Sequence, residues 1–269
     1  MDTLIKYDET NREYHSKKEY ISSSFVKGWN TATPYHVMNG NKELSPSIAD
    51  LGSAVHAMWE TKGRKQAVIG KHKSRAGKAW AEDYAAAKQN DEILLPEGEY
   101  EKAIRMTAAL WKNSEIRKLG RNKNRVCEAS IYGKHERTGL LLKARPDQFT
   151  MDNGVVLDIK TTISADPQRF QRQFFDLGYG IQAAFYRMVC EQQGIECKYF
   201  AFGCVEKTEP FATNLFIVSQ DLMDRYTKVV EQTLDQIKLA QETNDYSTGW
   251  PNFTMIHTPE WMKQDDTWS

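Results

Sequence analysis

Helical spacing governs both ends of this chain, and strand-like runs fill its middle. Over 97–119, Ala103, Met106 and Leu110 recur at three- and four-residue intervals, the period of one face of an α-helix. Similar patterning predicts helices over 48–61, 74–88, 174–193 (ending near Gly194) and 222–241. Between them the pattern changes. Residues 125–132, 139–150 and 155–161 read as three successive strands, and Asp152-Asn153-Gly154 is hairpin punctuation before the last. A further strand pair is expected over 198–205 and 211–218, joined through Pro210. This order gives an α/β fold, a mixed central sheet flanked by helices with an N-terminal helical elaboration. No internal repeat or low-complexity linker divides the sequence, so it reads as one domain. Residues 1–95 would form the helical N-terminal part, 96–243 the core, and 244–269 an irregular tail. That tail, with Trp250, Trp261 and Trp268, is expected to pack onto the body.

The strand pattern also places chemistry. Side chains alternate along a strand, so Asp158 and Lys160 project to one side. The turn at 152–154 lets Asp147 come beside Asp158. Two carboxylates and an ammonium group in one place suit a divalent metal held against a phosphodiester. Mg²⁺ prefers oxygen ligands and keeps several waters, and it polarises a phosphoryl oxygen and acidifies its bound water. A neighbouring lysine can orient that water or offset charge on the phosphate. An isolated Asp-x-Lys is common, however, and a surface hairpin with solvated charges has the same pattern. His56, among small and apolar neighbours on the 48–61 helix, is either a satisfied half-buried histidine or a metal ligand. Gln182 and Tyr186 are i, i+4 neighbours on the 174–193 helix, either a surface pair or two groups reaching one target.

Taken in order, Gly52-x-x-x-His56, Glu128, Arg145-Pro146-Asp147, Asp158-Ile159-Lys160-Thr161 and Gln182-x-x-x-Tyr186 resemble the PD-(D/E)xK nuclease superfamily. Within it they are similar to the RecE-type exonuclease (exonuclease VIII) and RecB-like nuclease branch. Tyr20-Ile21-Ser22-Ser23-Ser24-Phe25 and Thr33-Pro34-Tyr35-His36 fit the opening of that branch. The resemblance implies a restriction-endonuclease-like core. It implies that His56, Asp147 and Asp158 bind the metal, with the Ile159 carbonyl as a further ligand, and that Lys160 is the catalytic lysine. Glu128 would help position a metal or water as part of the catalytic set. Gln182, Tyr186, Arg145 and Thr161 would lie along the DNA. The implied activity is a Mg²⁺-dependent exonuclease, with Mn²⁺ a possible substitute. It would act on linear double-stranded DNA ends and expose a single strand for recombination in phages and prophages. A single-strand annealing protein and a ring-shaped homo-oligomer are the implied partners. The alternatives are an endonuclease, a helicase-associated nuclease, or a DNA-binding module without chemistry. No Walker A motif is present, so any motor would be a separate protein. The intact His56, Asp147, Asp158 and Lys160 set argues against a non-catalytic module.

Composition adds boundaries. At 269 residues and 31.0 kDa the chain can bury a full core. No apolar run approaches a membrane span and the first residues lack a signal-peptide pattern, so a cytoplasmic protein without a membrane partner is expected. With 36 basic and 36 acidic residues the net charge is +0, so any nucleic-acid surface must be local. Two basic stretches offer one: Lys71, Lys73, Arg75 and Lys78, and then Arg117, Lys118, Arg121, Lys123 and Arg125. Cys127, Cys190, Cys197 and Cys204 lack the tight C-terminal grouping of an iron–sulfur site, so no cluster and no disulfide is expected, and buried thiols are.

Overall fold

In a computed structural model, residues 4–40, 46–60 and 67–258 are described. The N-terminal part comprises β1 (Ile5–Lys6), α1 (Asn11–Ser16), β2 (Ile21–Ser22), α2 (Ser23–Thr31), α3 (Pro34–Asn39), α4 (Pro46–Trp59), β3 (Val68–Gly70), α5 (Lys78–Gln89) and β4 (Ile93–Leu95). The first three helices were not legible as periodicity because they are too short to show it. Local capping starts them instead: the side chains of Thr10, Ser22 and Thr33 each accept a hydrogen bond from the first turn. α5 begins at Lys78, later than expected, because Gly77 at φ +92° holds the chain out of helical geometry.

Several predicted elements break in two, each for a local reason. The 97–119 helix becomes α6 (Glu97–Lys112) and α7 (Ser114–Gly120), because Asn113 turns extended and its side chain caps α7. The 174–193 helix becomes α8 (Pro167–Asp176) and α9 (Tyr179–Gln192), separated at Gly178, which sits at φ +62°. The 125–132 strand is β5 (Arg125–Cys127) and β6 (Ser130–Lys134), and the 139–150 strand is β7 (Leu141–Ala144) and β8 (Gln148–Thr150). β9 (Val155–Thr162), β10 (Tyr199–Glu206), β11 (Thr213–Ile217) and α10 (Gln220–Thr243) complete the described chain.

The result is a mixed α/β fold with two main sheets, ordered β1-β6-β7-β2 and β11-β10-β9-β8-β5, plus the β3-β4 pair. β9 and β10 run parallel, while β5, β8 and β11 join the second sheet antiparallel. The two sheets meet in one bent ladder. Cys127 lies opposite Gln148 in one sheet and Ile131 opposite Ala144 in the other, so the register is unbroken across the bend. Pro146, which has no N–H to give, and Glu128 at φ +52° mark the place where the ladder turns. Alternation along β9 splits the core. Val156 packs with Phe149, Phe185 and Phe202, whereas Leu157 and Ile159 pack with Trp59, Met106 and Leu110.

Part of the tail packs as expected: Tyr246 lies edge-on to Trp29 and Trp250 lies 5.4 Å from the His36 ring. Phe253, Met255 and Ile256 are exposed instead. Trp261 and Trp268 lie outside the described residues. No helix among the described residues is long and apolar enough to cross a membrane.

Candidate active site

The hairpin between β8 and β9 does what the turn at 152–154 promised. Gln148 faces Leu157, so one step beyond, at the bend of the ladder, Asp147 comes opposite Asp158. Asp147 Oδ2 accepts the backbone N–H of Ile159 at 2.5 Å, which fastens the carboxylate across the two strands. Its Oδ1 lies 3.0 Å from Nδ1 of His56. His56 arrives from α4, whose Gly52, one turn earlier, faces Thr161 of β9. A Cβ on Gly52 would stand 3.5 Å from Thr161 Oγ1. Half-buried Thr161 thus meets the helix that delivers the histidine.

Glu128 completes the cluster. Its left-handed backbone, costly for a residue with a Cβ by about 1–2 kcal/mol, sits beside Asp147, to whose carbonyl the Glu128 N–H donates at 3.3 Å. One ligand atom each from His56, Glu128 and Asp147 lie within 4.8 Å of one another. The sequence had grouped His56 with both aspartates. The geometry adds Glu128 to that group, and Asp158 lies beside Lys160 and Gln182. Asp158 Oδ2 is 2.6 Å from Lys160 Nζ, and its Oδ1 accepts from Gln182 Nε2 at 2.7 Å. Lys160 in turn donates to Gln182 Oε1 at 2.9 Å, so one amide closes a triangle with acid and base.

The charges in this cluster act on one another. Burial works against a charged His56, but Asp147, with Asp158 and Glu128 behind it, outweighs burial and raises the imidazole to about 9. Burial first, and then the Asp147 charge, push the Glu128 carboxyl up to about 7. Asp147 is held low despite its burial by His56, Lys160 and the Ile159 N–H. Burial raises Asp158. Burial disfavours the Lys160 cation, but Asp158 and Tyr179 overcome it and keep the ammonium above its usual range. The Glu128 and Asp147 carboxylates beside one imidazole, with Asp158 on the neighbouring strand, form an oxygen-rich donor set that fits a hard divalent ion such as Mg²⁺ or Mn²⁺.

Two residues expected along DNA face inward. Arg145 is buried, with Nε 2.9 Å from Glu128 Oε2 and Nη2 donating to the Glu9 carbonyl at 3.1 Å. Tyr186 lies beneath the carboxylates in the core, its ring 6.3 Å from Phe200, and burial pushes its phenol well above the usual range. Of the Gln182 and Tyr186 pair, only Gln182 bonds to the charged groups directly. The first basic stretch is largely spent on the protein itself: Lys71 pairs with Asp83, and Arg75 with Asp50 and Glu99. In the second, Arg121 and Lys123 are exposed, while Arg125 lies against the Trp59 and Trp111 rings. The cysteines are free, and burial pushes Cys127 and Cys197 to about 12.

Sequence reasoning missed several neighbours. Asn11, His15, Ser53 and Glu60 join His56, Glu128 and Arg145 around a cavity of about 210 Å³. No motif marks the first two, which reach the site only because β1 adds to β6 and carries α1 with it. Lys27 of α2 was also missed. Its stem lies against Gly178, and it forms no ion pair among the described residues. Burial and the Lys160 charge lower its ammonium.

Residues 22–249 match the model of a PDDEXK-like domain of unknown function (DUF3799). No curated protein matches the chain. Among solved structures, it is similar to a candidate exonuclease from Eubacterium rectale, at 17% identity and a TM-score of 0.60, covering 96% of this chain and 98% of that one. At that identity the likeness shows the fold. A phage-related exonuclease from Haemophilus somnus 129PT is 12% identical over 81% of this chain and 95% of its own, with a TM-score of 0.31, too low to carry an argument.

Proposed function

This chain belongs to the PDDEXK-like domain family (DUF3799), and on that footing we propose that it is a divalent-metal-dependent deoxyribonuclease degrading linear duplex DNA from its ends. One observation carries the reading. Asp147 and Asp158 meet at the bend of the sheet, with Lys160 on the Asp158 side and His56 and Glu128 closing over Asp147. His56, Asp147 and Glu128 are the residues that would hold the ion, with Asp158 beside them. When bound, the ion supplies a polarised phosphoryl oxygen and a more acidic water. Lys160 supplies a fixed positive charge where phosphate negative charge grows, and Gln182 fixes both Lys160 and Asp158 in place. Exposed Arg121 and Lys123, and Lys27 nearer the carboxylates, provide cations for the phosphate backbone.

Dependence on DNA ends rests on the resemblance of the motifs to the RecE-type branch, and the name of the Eubacterium rectale neighbour agrees with it. A ring-shaped homo-oligomer and a single-strand annealing partner belong to the same reading. The test uses end-labelled linear duplex and a relaxed closed circle of the same sequence. With Mg²⁺ the linear DNA should be degraded and the circle should survive. Ca²⁺, with its looser coordination, should support binding but little cleavage. Nicking of the circle would replace the exonuclease reading with an endonuclease, and degradation in EDTA would end the metal-dependent one.

A further inference from the structure

Arg145 opens the Arg-Pro-Asp motif, where a basic residue invites assignment to DNA. Its surroundings point elsewhere. The guanidinium is buried and held on three sides: Nε against Glu128 Oε2, Nη2 on the Glu9 carbonyl, and its face 5.5 Å from the Tyr14 ring centre. Glu128 is the residue that needs such a partner. Its backbone takes a left-handed conformation that glutamate rarely adopts, and its carboxylate stands beside that of Asp147. Like charges so close repel, and the Arg145 cation beside the Glu128 carboxylate opposes that repulsion.

We propose that Arg145 is a positioning residue that holds the Glu128 carboxylate at the metal site and does not contact DNA. The inference rests on the metal-dependent reading above. A guanidinium is required for this task, because Nε must reach Glu128 while Nη2 reaches the Glu9 carbonyl, a geometry that a lysine ammonium does not reproduce. Glu9 and Tyr14 both precede residue 22, where the family match begins. The N-terminal segment therefore buttresses the metal site indirectly, through Arg145, although it supplies none of the three clustered ligands.

The test is calorimetric titration of Mn²⁺ into DNA-free protein, for wild type, Arg145→Lys, Arg145→Gln, Glu128→Gln and the Arg145→Lys/Glu128→Gln double variant. Duplex binding in EDTA is measured alongside as a function of salt, and thermal midpoints report folding. Both Arg145 variants should bind Mn²⁺ about 10–100-fold more weakly, the usual effect of losing a group that orients a ligand. In the Glu128→Gln background the Arg145 change should have no further effect, because the residue acts through Glu128. The salt slope of DNA binding should be unchanged. If Arg145→Gln does not fold, Arg145→Lys, which keeps the charge, decides the matter. Unchanged Mn²⁺ affinity in a folded Arg145 variant would overturn the inference. So would a salt slope shallower by about 0.9, the signature of one lost phosphate contact. Wild-type protein that binds no divalent ion would sink the metal-dependent reading itself, and this inference with it.

Discussion

At Gln182 a single amide serves two charged partners, its nitrogen donating to Asp158 and its oxygen accepting from Lys160. Gln182→Ala would leave a buried carboxylate short of a hydrogen bond, so stability should fall by about 1–3 kcal/mol. Turnover should fall as well, by up to about 100-fold, as the acid and base lose their alignment. Urea unfolding and kcat measured on the same preparation test both parts, and an unchanged kcat would return Gln182 to a purely structural role. Lys160→Ala separates chemistry from metal binding. Turnover should drop by about 10²–10³-fold, the effect of removing one charge-stabilising group, while calorimetric Mn²⁺ affinity holds. A parallel loss of both would make Lys160 a support for the metal site. Strand parity alone makes the Asp158 and Lys160 pair legible in the sequence. The meeting of His56 with Asp147, 91 residues apart, is not legible, since it depends on how α4 lies on β9.

Among the elements, the breaks are local events with local tests. Asn113 ends α6 and caps α7, its side chain accepting from the Glu115 and Ile116 N–H groups at 3.1 and 3.2 Å. Asn113→Ala should cost about 1 kcal/mol, as loss of an N-cap does, and should leave Mn²⁺ affinity intact because α7 bears none of the clustered metal-site residues. The α9 and α10 helices pack tightly at Gly180, where a Cβ would stand 2.1 Å from the Tyr226 ring. Gly180→Ala should destabilise by roughly 1–3 kcal/mol through overpacking, read as a lower thermal midpoint. A midpoint within a degree of wild type would show that the α9–α10 contact yields easily. Periodicity found the helices at 97–119 and 174–193 but merged each with its neighbour. Apolar spacing runs on through Asn113 and Gly178, and only their backbone conformations reveal the break.

For the molecule as a whole, the buried cluster ties stability to pH and to metal. Glu128 is raised from 4.5 to about 7 and His56 from 6.5 to about 9. In both, the folded state holds the proton more tightly than the unfolded one. The Glu128 contribution is therefore complete below pH 4.5 and lost as pH rises through 7, and that of His56 is complete below pH 6.5 and lost as pH rises through 9. Asp147 works oppositely, its contribution being lost as pH falls below 3.8. Metal-free protein should thus lose stability between about pH 4.5 and 7 relative to Glu128→Gln, which lacks this titrating carboxyl, while the His56 loss toward pH 9 is common to both. A divalent ion should reverse the trend, since it takes the place of protons and adds about 2.7 kcal/mol at a hundred times its Kd. Chemical denaturation across pH, with EDTA and with Mn²⁺, measures both, and a flat difference profile would mean that Glu128 does not titrate in this range. The sequence by itself determined the mixed α/β order of elements and the side-by-side placement of Asp147, Asp158 and Lys160, because alternation and a tight turn are short-range properties. Only the tertiary structure decided that Glu128 joins His56 and Asp147, that Arg145 and Tyr186 turn inward, and that the N-terminal segment buttresses the site. Those outcomes follow from one bent ladder passing between two sheets and from helices laid across it, and no window of sequence contains both sides of such contacts.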